Sequence, residues 1–354
     1  MRLLIINPGS TSTKIAVYED ENEVFSQSIS HSTEEVAPFA RIVEQKGFRK
    51  DIILGVLKEK AIDASSFDAV IGRGGLLNPI PSGIFAVNER LLEDLFQGIQ
   101  GEHASNLGGL IADEIARPLG IPAYIVDPVV VDELADWARL TGMAEIKRRS
   151  IFHALNHKYA ARLAAKELGK AYEDCNLIVC HLGGGISVGA HLKGRVVDVN
   201  NALHGEGPIA PERAGTVPAY DLVNLCFSGQ FTKDDLKRKL AGKGGMVALL
   251  KTNDMRQVES RIAAGDPEAA VVFEAMTATI AKGIGGAATV LRGTVDGIVL
   301  TGGLAFSRKF IDAIVERTGF LGRVFIYPGE NEMVALAAAG LRVLRGEEKA
   351  KIYS

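Results

Sequence analysis

A strand–glycine turn–strand unit that occurs twice at half-length constrains this chain more than any other feature. Leu3 to Ile6 reads as an apolar strand ending in Asn7-Pro8-Gly9-Ser10-Thr11-Ser12-Thr13-Lys14, after which Ile15-Ala16-Val17-Tyr18 resumes. Leu177 to Cys180 ends in His181-Leu182-Gly183-Gly184-Gly185, after which Ile186-Ser187-Val188-Gly189-Ala190 resumes. The two superpose at a constant offset of 174 positions, close to half of the 354 residues. Few residues are identical, so what repeats is the pattern. It predicts two similar domains, arisen by duplication and facing each other, which suits a chain of this length at ~150 residues per domain. Glycine supports this: the 39 glycines exceed the ~7 % average and cluster directly after or between strand-like runs.

Strands and helices alternate between these landmarks, which predicts α/β domains with helix-covered sheets. Asp68 to Gly72 and Ala123 to Val126 read as strands; Val87 to Phe96 and Leu107 to Leu119 carry helical spacing, the latter closed by Pro118 and Pro122. Ile146 to Leu168 reads as one long helix stopped by Gly169. Strands at 177–181, 186–192 and 195–199 precede helices near 219–227, 232–240 and 266–292. Strand Ile298-Val299-Leu300 then leads through Thr301-Gly302-Gly303 into a helix from Arg308 to Arg317, and strand Val324 to Tyr327 into a helix from about Asn331 to Leu344. The change of domain is expected near residue 145, where Thr141-Gly142 precedes the long helix. Residues 1–145 with 336–354 then form one domain and 146–335 the other.

Several function classes are disfavoured. The formal charge of −3 offers no basic field for nucleic acid. Cys175, Cys180 and Cys226 contain no Cys-x-x-Cys pair, which argues against a disulfide frame or zinc site. The opening apolar run breaks at Asn7-Pro8, too soon for a signal peptide, and no run of 18 apolar residues follows, so a cytoplasmic protein without membrane contact is expected. The P-loop pattern is absent. Gly283-Ile284-Gly285-Gly286-Ala287-Ala288 matches a dinucleotide fingerprint but lies inside a helical run, where glycines serve close packing. His153 and His157 share a helix face, but Ala154 replaces the metalloprotease glutamate; His157 reads equally well as a buried, hydrogen-bonded ring. Lys147-Arg148-Arg149 reads as a solvated charge run. The glycine turns are better candidates: Gly9 to Thr13 and Gly183 to Ser187 offer backbone N–H groups to phosphate oxygens, and Gly302-Gly303 offers room for an adenosine.

The ordered set of motifs resembles the acetate and sugar kinase, Hsp70 and actin superfamily, and within it the carboxylate kinases of the acetokinase family. The family's opening Asn-x-Gly-Ser-x-Ser-x-Lys turn is similar to Asn7 through Lys14. Its Phe-His-Gly-Thr-Ser-His-Lys-Tyr resembles Phe152-His153-Ala154-Leu155-Asn156-His157-Lys158-Tyr159, and its His-Leu-Gly-x-Gly-x-Ser matches His181 through Ser187. The family's arginine in Thr-Arg-Ser-Gly corresponds to Arg213 in Glu212-Arg213-Ala214-Gly215, and its late Asn-Glu-Glu to Asn331-Glu332-Met333. The matches run in order from residue 2 to about 340. Gly72-Arg73-Gly74-Gly75-Leu76-Leu77-Asn78-Pro79-Ile80 is similar to the butyrate branch, where acetate kinases carry Arg-Val-Val-His-Gly-Gly.

The resemblance implies an α/β fold of two ribonuclease H-like, actin-like ATPase domains with a cleft between them. It implies reversible phosphoryl transfer from ATP to butyrate, with branched acids, and more remotely acetate or propionate, as alternatives. Arg73 and Arg213 would clamp the substrate carboxylate and the transferring group, His153 would donate to a phosphoryl oxygen, and Asn7 would hold the terminal phosphate. Asp127 and Glu332 would organise Mg²⁺, mainly through its waters, although Asp127 also suits a helix cap after its strand. Gly9, Ser10, Ser12, Lys14, His181, Gly183, Gly184, Gly185, Gly302 and Gly303 would hold ATP or ADP. Gly75, His103 and Phe152 would line the acyl pocket. Gly75 takes the place of a family valine that narrows the acetyl pocket, unless it merely permits a turn. A homodimer through the second domain, or a larger homo-oligomer, is also implied.

Overall fold

The computed structural model describes residues 1–354. Twelve strands form: β1 (Arg2–Pro8), β2 (Ser12–Glu19), β3 (Asn22–Ser30), β4 (Ala69–Arg73), β5 (Ile84–Ala86), β6 (Ala123–Val126), β7 (Asn176–Leu182), β8 (Ile186–Leu192), β9 (Arg195–Val199), β10 (Gly297–Gly302), β11 (Val324–Pro328) and β12 (Lys351–Ile352). The offset of 174 maps β1 end to end onto β7, and the first residue of β2 onto that of β8. The chain divides into two units, Met1–Val131 with Asn331–Ser354, and Asp132–Glu330. The first holds a sheet in the order β12-β5-β6-β4-β1-β2-β3, the second one in the order β11-β10-β7-β8-β9. One five-stranded plan underlies both. β3-β2-β1 and β9-β8-β7 are antiparallel meanders, and β1-β4-β6 and β7-β10-β11 continue them in parallel.

The apolar runs are continuous because both faces of the central strands are covered. In the first unit Leu4 and Ile6 pack with Ile53 and Leu57 of the Lys46–Glu59 helix and with Leu107 and Ile111 of the Asn106–Leu119 helix. On the opposite face the Glu332–Leu344 helix sits so close that a Cβ at Gly340 would come within 2.8 Å of Ile71. In the second unit Ile178, Cys180 and Leu182 pack under Met276, Ile280 and Ile284 of the Pro267–Val290 helix. Leu177 and Val179 pack under the small residues Ala160, Ala161 and Ala164 of the Ala154–Glu167 helix. Of the glycines within the Pro267–Val290 helix, Gly283 serves packing, since a Cβ there would touch Val188 at 3.3 Å, whereas Gly285 and Gly286 face open space, against the packing role expected of them.

The helix expected from Ile146 begins only at Ala154, with His153 as its N-cap. Tertiary bonds hold the preceding segment out of helix. Arg148 reaches Glu206 Oε1 (2.8 Å), Asp198 Oδ1 (2.7 Å) and the carbonyls of Ala138 and Val199, so it is no solvated charge. The units change at 131/132 rather than near 145, because the intervening residues are tied to the second unit. Lys158 Nζ pairs with Glu133 Oε2 at 2.6 Å, and the Ala135 N–H donates to the Val197 carbonyl at 2.9 Å. The return crossing falls at 330/331, ahead of the last long helix. Pro118 stays inside its helix, and Gly120 (φ 69°) makes the stop. The Lys46–Glu59, Gly245–Leu250 and Met255–Ala263 helices and strand β3 were not legible as elements. No helix is long and apolar enough to cross a membrane.

Candidate active site

In the first unit the parallel strands β1 and β4 end side by side, which sets Asn7 and Arg73 one step beyond the Ile6–Gly72 pair. Glu332, the first residue of its helix, closes a triangle with them. Arg73 Nη1 lies 2.9 Å from Glu332 Oε1, Asn7 Nδ2 donates to Glu332 Oε2 at 2.5 Å, and Arg73 Nη1 donates to Asn7 Oδ1 at 3.3 Å. Glycines let the Asn106–Leu119 helix press directly on this strand end. A Cβ at Gly72 would meet the Gly108 carbonyl at 2.2 Å, and one at Gly108 the Arg73 carbonyl at 2.1 Å. That crossing fixes the Arg73 backbone, and the two adjacent glycines Gly108-Gly109 in a helical pattern were its sequence signal.

Gly75 belongs to the same packing. A Cβ there would come within 2.7 Å of Asn106 Cα, Asn106 Oδ1 and Leu95 Cδ2, so residue 75 points into protein rather than into an acyl pocket. Gly75→Val is therefore expected to destabilise the fold by about 1–3 kcal/mol through overpacking and to lower kcat/KM for C2 to C5 acids in parallel. Urea unfolding and initial rates check this, and a loss confined to the longer acids would return Gly75 to the pocket wall.

Asp127 follows β6 with a strained φ of 34° and caps no helix. Its Oδ1 accepts from Ser82 Oγ and from the Gly83 N–H, both at 2.7 Å. No three His, Cys, Asp or Glu side chains are grouped to hold a metal. Both Glu332 oxygens and Asp127 Oδ1 already accept from protein donors, which suits these carboxylates to a hydrated Mg²⁺, an ion that dehydrates reluctantly. His103 Nδ1 accepts from the Ser105 N–H at 3.2 Å, and desolvation, then the charge of Arg73, lowers its pKa.

The β1–β2 turn is gripped from behind by a residue that sequence reading missed. Arg49, 1 % exposed, donates to the carbonyls of Gly9 (2.7 Å), Ser10 (3.0 Å) and Ser12 (3.0 Å), to Thr13 Oγ1 (3.1 Å) and to Gln45 Oε1 (2.8 Å). It has no carboxylate partner, and burial pulls its pKa down to about 10. Ser10 and Lys14 are exposed beside this turn, with Gly9 and Ser12 half-buried.

The second unit assembles its own cluster. His153 stacks on His181 with ring centroids 3.8 Å apart, and His181 Nδ1 bonds Asn156 Oδ1 at 2.8 Å. Arg213 lies along the glycine turn: Cβ atoms at Gly184 and Gly185 would come within 3.6 Å of its Nη1 and 3.4 Å of its Nε. Glu212 Oε2 pairs with Nη1 at 3.0 Å, whereas the buried Nε has no protein partner. Backbone bonds anchor the arginine loop. The N–H groups of Gly242, Met246 and Val247 donate to the carbonyls of Glu212, Ala210 and Pro211. Gly302 (φ 91°) must be glycine, since a Cβ would strike Leu182 backbone atoms at 2.5–2.8 Å; beside it Gly303 faces open space. Phe152 is 2 % exposed and packs edge-on to His157 at 5.1 Å, which leaves little surface for an acyl chain.

Three deeply buried histidines give the fold an acid sensitivity. Burial lowers the pKa of His31, His157 and His191; Arg49 adds to this at His31, His191 at His157, and Lys158 at His191. Below the ordinary histidine value the unfolded chain takes up protons that the folded chain refuses, so stability falls as pH falls. The urea midpoint is expected to be level above about pH 7 and to decline between about pH 6.5 and 5, ahead of the carboxylates. A level midpoint across that window would contradict the burial of these rings.

With this geometry in place, comparison with known proteins decides the family. An acetokinase family profile matches residues 139–343. Butyrate kinase 1 of Clostridium acetobutylicum is 57 % identical over 352 residues, covering 99 % of each chain. The chain belongs to the acetokinase family. Among solved structures, an acetate kinase from Porphyromonas gingivalis superposes with a TM-score of 0.80 at 19 % identity, covering 97 % of this chain and 99 % of the other. A propionate kinase from Francisella tularensis subsp. tularensis SCHU S4 gives 0.76 at 18 %, covering 96 % and 98 %. These share the fold, that of the actin-like ATPases. As an acetokinase, the chain is a carboxylate kinase, an ATP-dependent phosphotransferase whose acceptor is a carboxyl group.

Proposed function

We propose that this acetokinase transfers the terminal phosphoryl group of ATP reversibly to butyrate, giving butyryl phosphate and ADP. The observation that carries phosphoryl transfer is Arg213, a guanidinium laid along a glycine turn with its buried Nε unpartnered. The choice of butyrate rests on the relative of that name, 57 % identical over nearly the full length. Transfer through a loose transition state needs positioning and charge neutralisation rather than covalent catalysis. No carboxylate base is required, because the acceptor is already an anion. Arg73 binds the acceptor carboxylate, Asn7 the terminal phosphate, and Arg213 the equatorial charge of the group in flight. His153 donates to a phosphoryl oxygen. The Gly9–Lys14 and Gly183–Gly185 turns hold phosphates, and Gly302-Gly303 the adenosine. Asp127 and Glu332 would hold Mg²⁺ through its waters, the ion supplying charge neutralisation at the phosphates. His103, beside Arg73, is the remaining candidate at the acyl group. A cytoplasmic homodimer through the second unit completes the proposal; sedimentation of the purified protein tests the dimer.

A coupled assay of ADP release with butyrate, isobutyrate, acetate, propionate, glycerol or no acceptor tests the reaction. The expected kcat/KM is highest for butyrate. A higher value for isobutyrate or acetate would move the substrate within the family. ATP loss that ignores every acid would overturn the reading.

A further inference from the structure

Beneath His153 runs a hydrogen-bonded chain of side chains that the proposed chemistry does not use. His153 Nδ1 lies 2.9 Å from Ser187 Oγ, and the same Oγ lies 2.8 Å from His157 Nε2. His157 Nδ1 lies 3.2 Å from His191 Nε2, and His191 Nδ1 lies 2.7 Å from the Tyr172 hydroxyl. Ser187, His157 and His191 are fully buried, and Tyr172 is 4 % exposed. The neighbouring residues fit the chain. A Cβ at Gly189 would press on His157 Nδ1 at 3.2 Å and on His191 Nε2 at 3.4 Å, so glycine gives the two rings room to meet. Phe152 packs edge-on against His157.

Burial holds both inner rings in their neutral forms. A neutral imidazole has one N–H and one lone pair, so each inner ring passes the donor direction along and the end of the chain sets it. Ser187 Oγ can accept from two rings, but once His157 donates to it, its own buried hydrogen has only His153 Nδ1 as acceptor. The end that sets the direction is Tyr172. A phenol is a stronger acid than an imidazole N–H, and an imidazole nitrogen a stronger base than a phenol oxygen, so the Tyr172 hydroxyl donates to His191 Nδ1. His191 Nε2–H then donates to His157 Nδ1, His157 Nε2–H to Ser187 Oγ, and the Ser187 hydroxyl to His153 Nδ1. The proton of neutral His153 is left on Nε2.

We propose that Tyr172, His191, His157 and Ser187 are positioning residues that fix the tautomer of His153, so that its Nε2–H is presented as a donor without the ring having to become a cation. The site favours a neutral donor. His153 caps a helix N-terminus, where the dipole is positive. It also stacks on His181, whose Nδ1–H is spent on Asn156 Oδ1 while the Asn156 amide nitrogen donates to the Glu330 carbonyl at 2.7 Å. The inference rests on the reading of His153 as a donor to phosphoryl oxygen.

Ring-nitrogen spectra of ¹⁵N-histidine-labelled protein at mildly alkaline pH test it, with His153 assigned through His153→Asn. In the wild type, His153 is expected to show a protonated Nε2 and a bare Nδ1. In Tyr172→Phe, which loses only the hydroxyl, and in Ser187→Ala, it is expected to become a tautomer mixture. kcat should then fall about tenfold, as when a histidine loses its orienting partner, with KM for ATP and butyrate little changed. A merely structural role would not move the tautomer. A wild-type His153 protonated on Nδ1, or an unchanged Nε2–H tautomer in both variants, overturns the proposal. Full turnover in His153→Asn would instead overturn the donor role of His153 and leave the tautomer result standing, so the two failures are distinguishable.

Discussion

Replacing Arg213 by alanine is expected to lower kcat by about 10²–10⁴-fold, because one lost oxyanion donor costs ~10²–10³ and this donor carries a full charge. The buried Nε lacks a partner, and Glu212 takes only Nη1, so part of the guanidinium is uncommitted in the protein. The loop around it is held by the backbone bonds from 242–247, so the substitution should leave the fold intact. Arg213→Lys is expected to recover little, since a point charge cannot reproduce a planar fork. Arg73→Ala should differ in kind. Its loss leaves Glu332 with only Asn7 and removes the cation assigned to the acceptor, so KM for the acid should rise along with the fall in kcat. Steady-state kinetics with the acid and ATP varied in turn separates the two. Near-normal turnover in Arg213→Ala would remove that residue from the mechanism.

Arg49→Met is expected to be the most damaging substitution for stability, at about 3–5 kcal/mol or more, the range for an uncompensated buried polar network. Methionine fills much of the volume but leaves the carbonyls of Gly9 and Ser10, with Gln45 Oε1, without their guanidinium donor, while the Ser12 carbonyl keeps only the Gly9 N–H. A group left without a donor costs ~1–3 kcal/mol where water cannot reach it, which holds most fully for the buried Gln45 Oε1 and least for the exposed Ser10. Thr13 Oγ1 also bonds His31 Nε2 at 2.8 Å, so the loss extends to β3 and the loop beyond it. Urea unfolding measures the loss. A change below about 1 kcal/mol would mean that water satisfies the turn as well as the guanidinium does.

The two predictions concern residues of very different legibility. Arg213 stands in a motif whose resemblance spans the chain, and the glycine turn it lies along is recognisable as a turn from glycine alone. Arg49 sits among Lys46, Lys50 and Asp51 in a segment without a clear apolar stripe, where an arginine reads as a solvated face. Nothing local marks it as buried. Ser187 and Asn156 were inside quoted motifs yet received no task, because their tasks are bonds to side chains on other elements. Gly75 shows the reverse error. Its place opposite a family valine implied a pocket, but Asn106 and Leu95 occupy the space that a side chain would enter.

From sequence alone, the alternation of strands and helices, the duplicated hairpin with its 174-residue offset and the three glycine turns were determined. All depend on apolar spacing and backbone freedom over a few residues, which short segments carry by themselves. The tertiary structure decided that Asn7 meets Glu332 across 325 residues, that the helix after Arg148 starts at Ala154, and which nitrogen of His153 faces Ser187. These are pairings between polar groups far apart in the chain. Local periodicity carries no information about them, because a buried donor must be satisfied by whichever acceptor the packed elements bring to it.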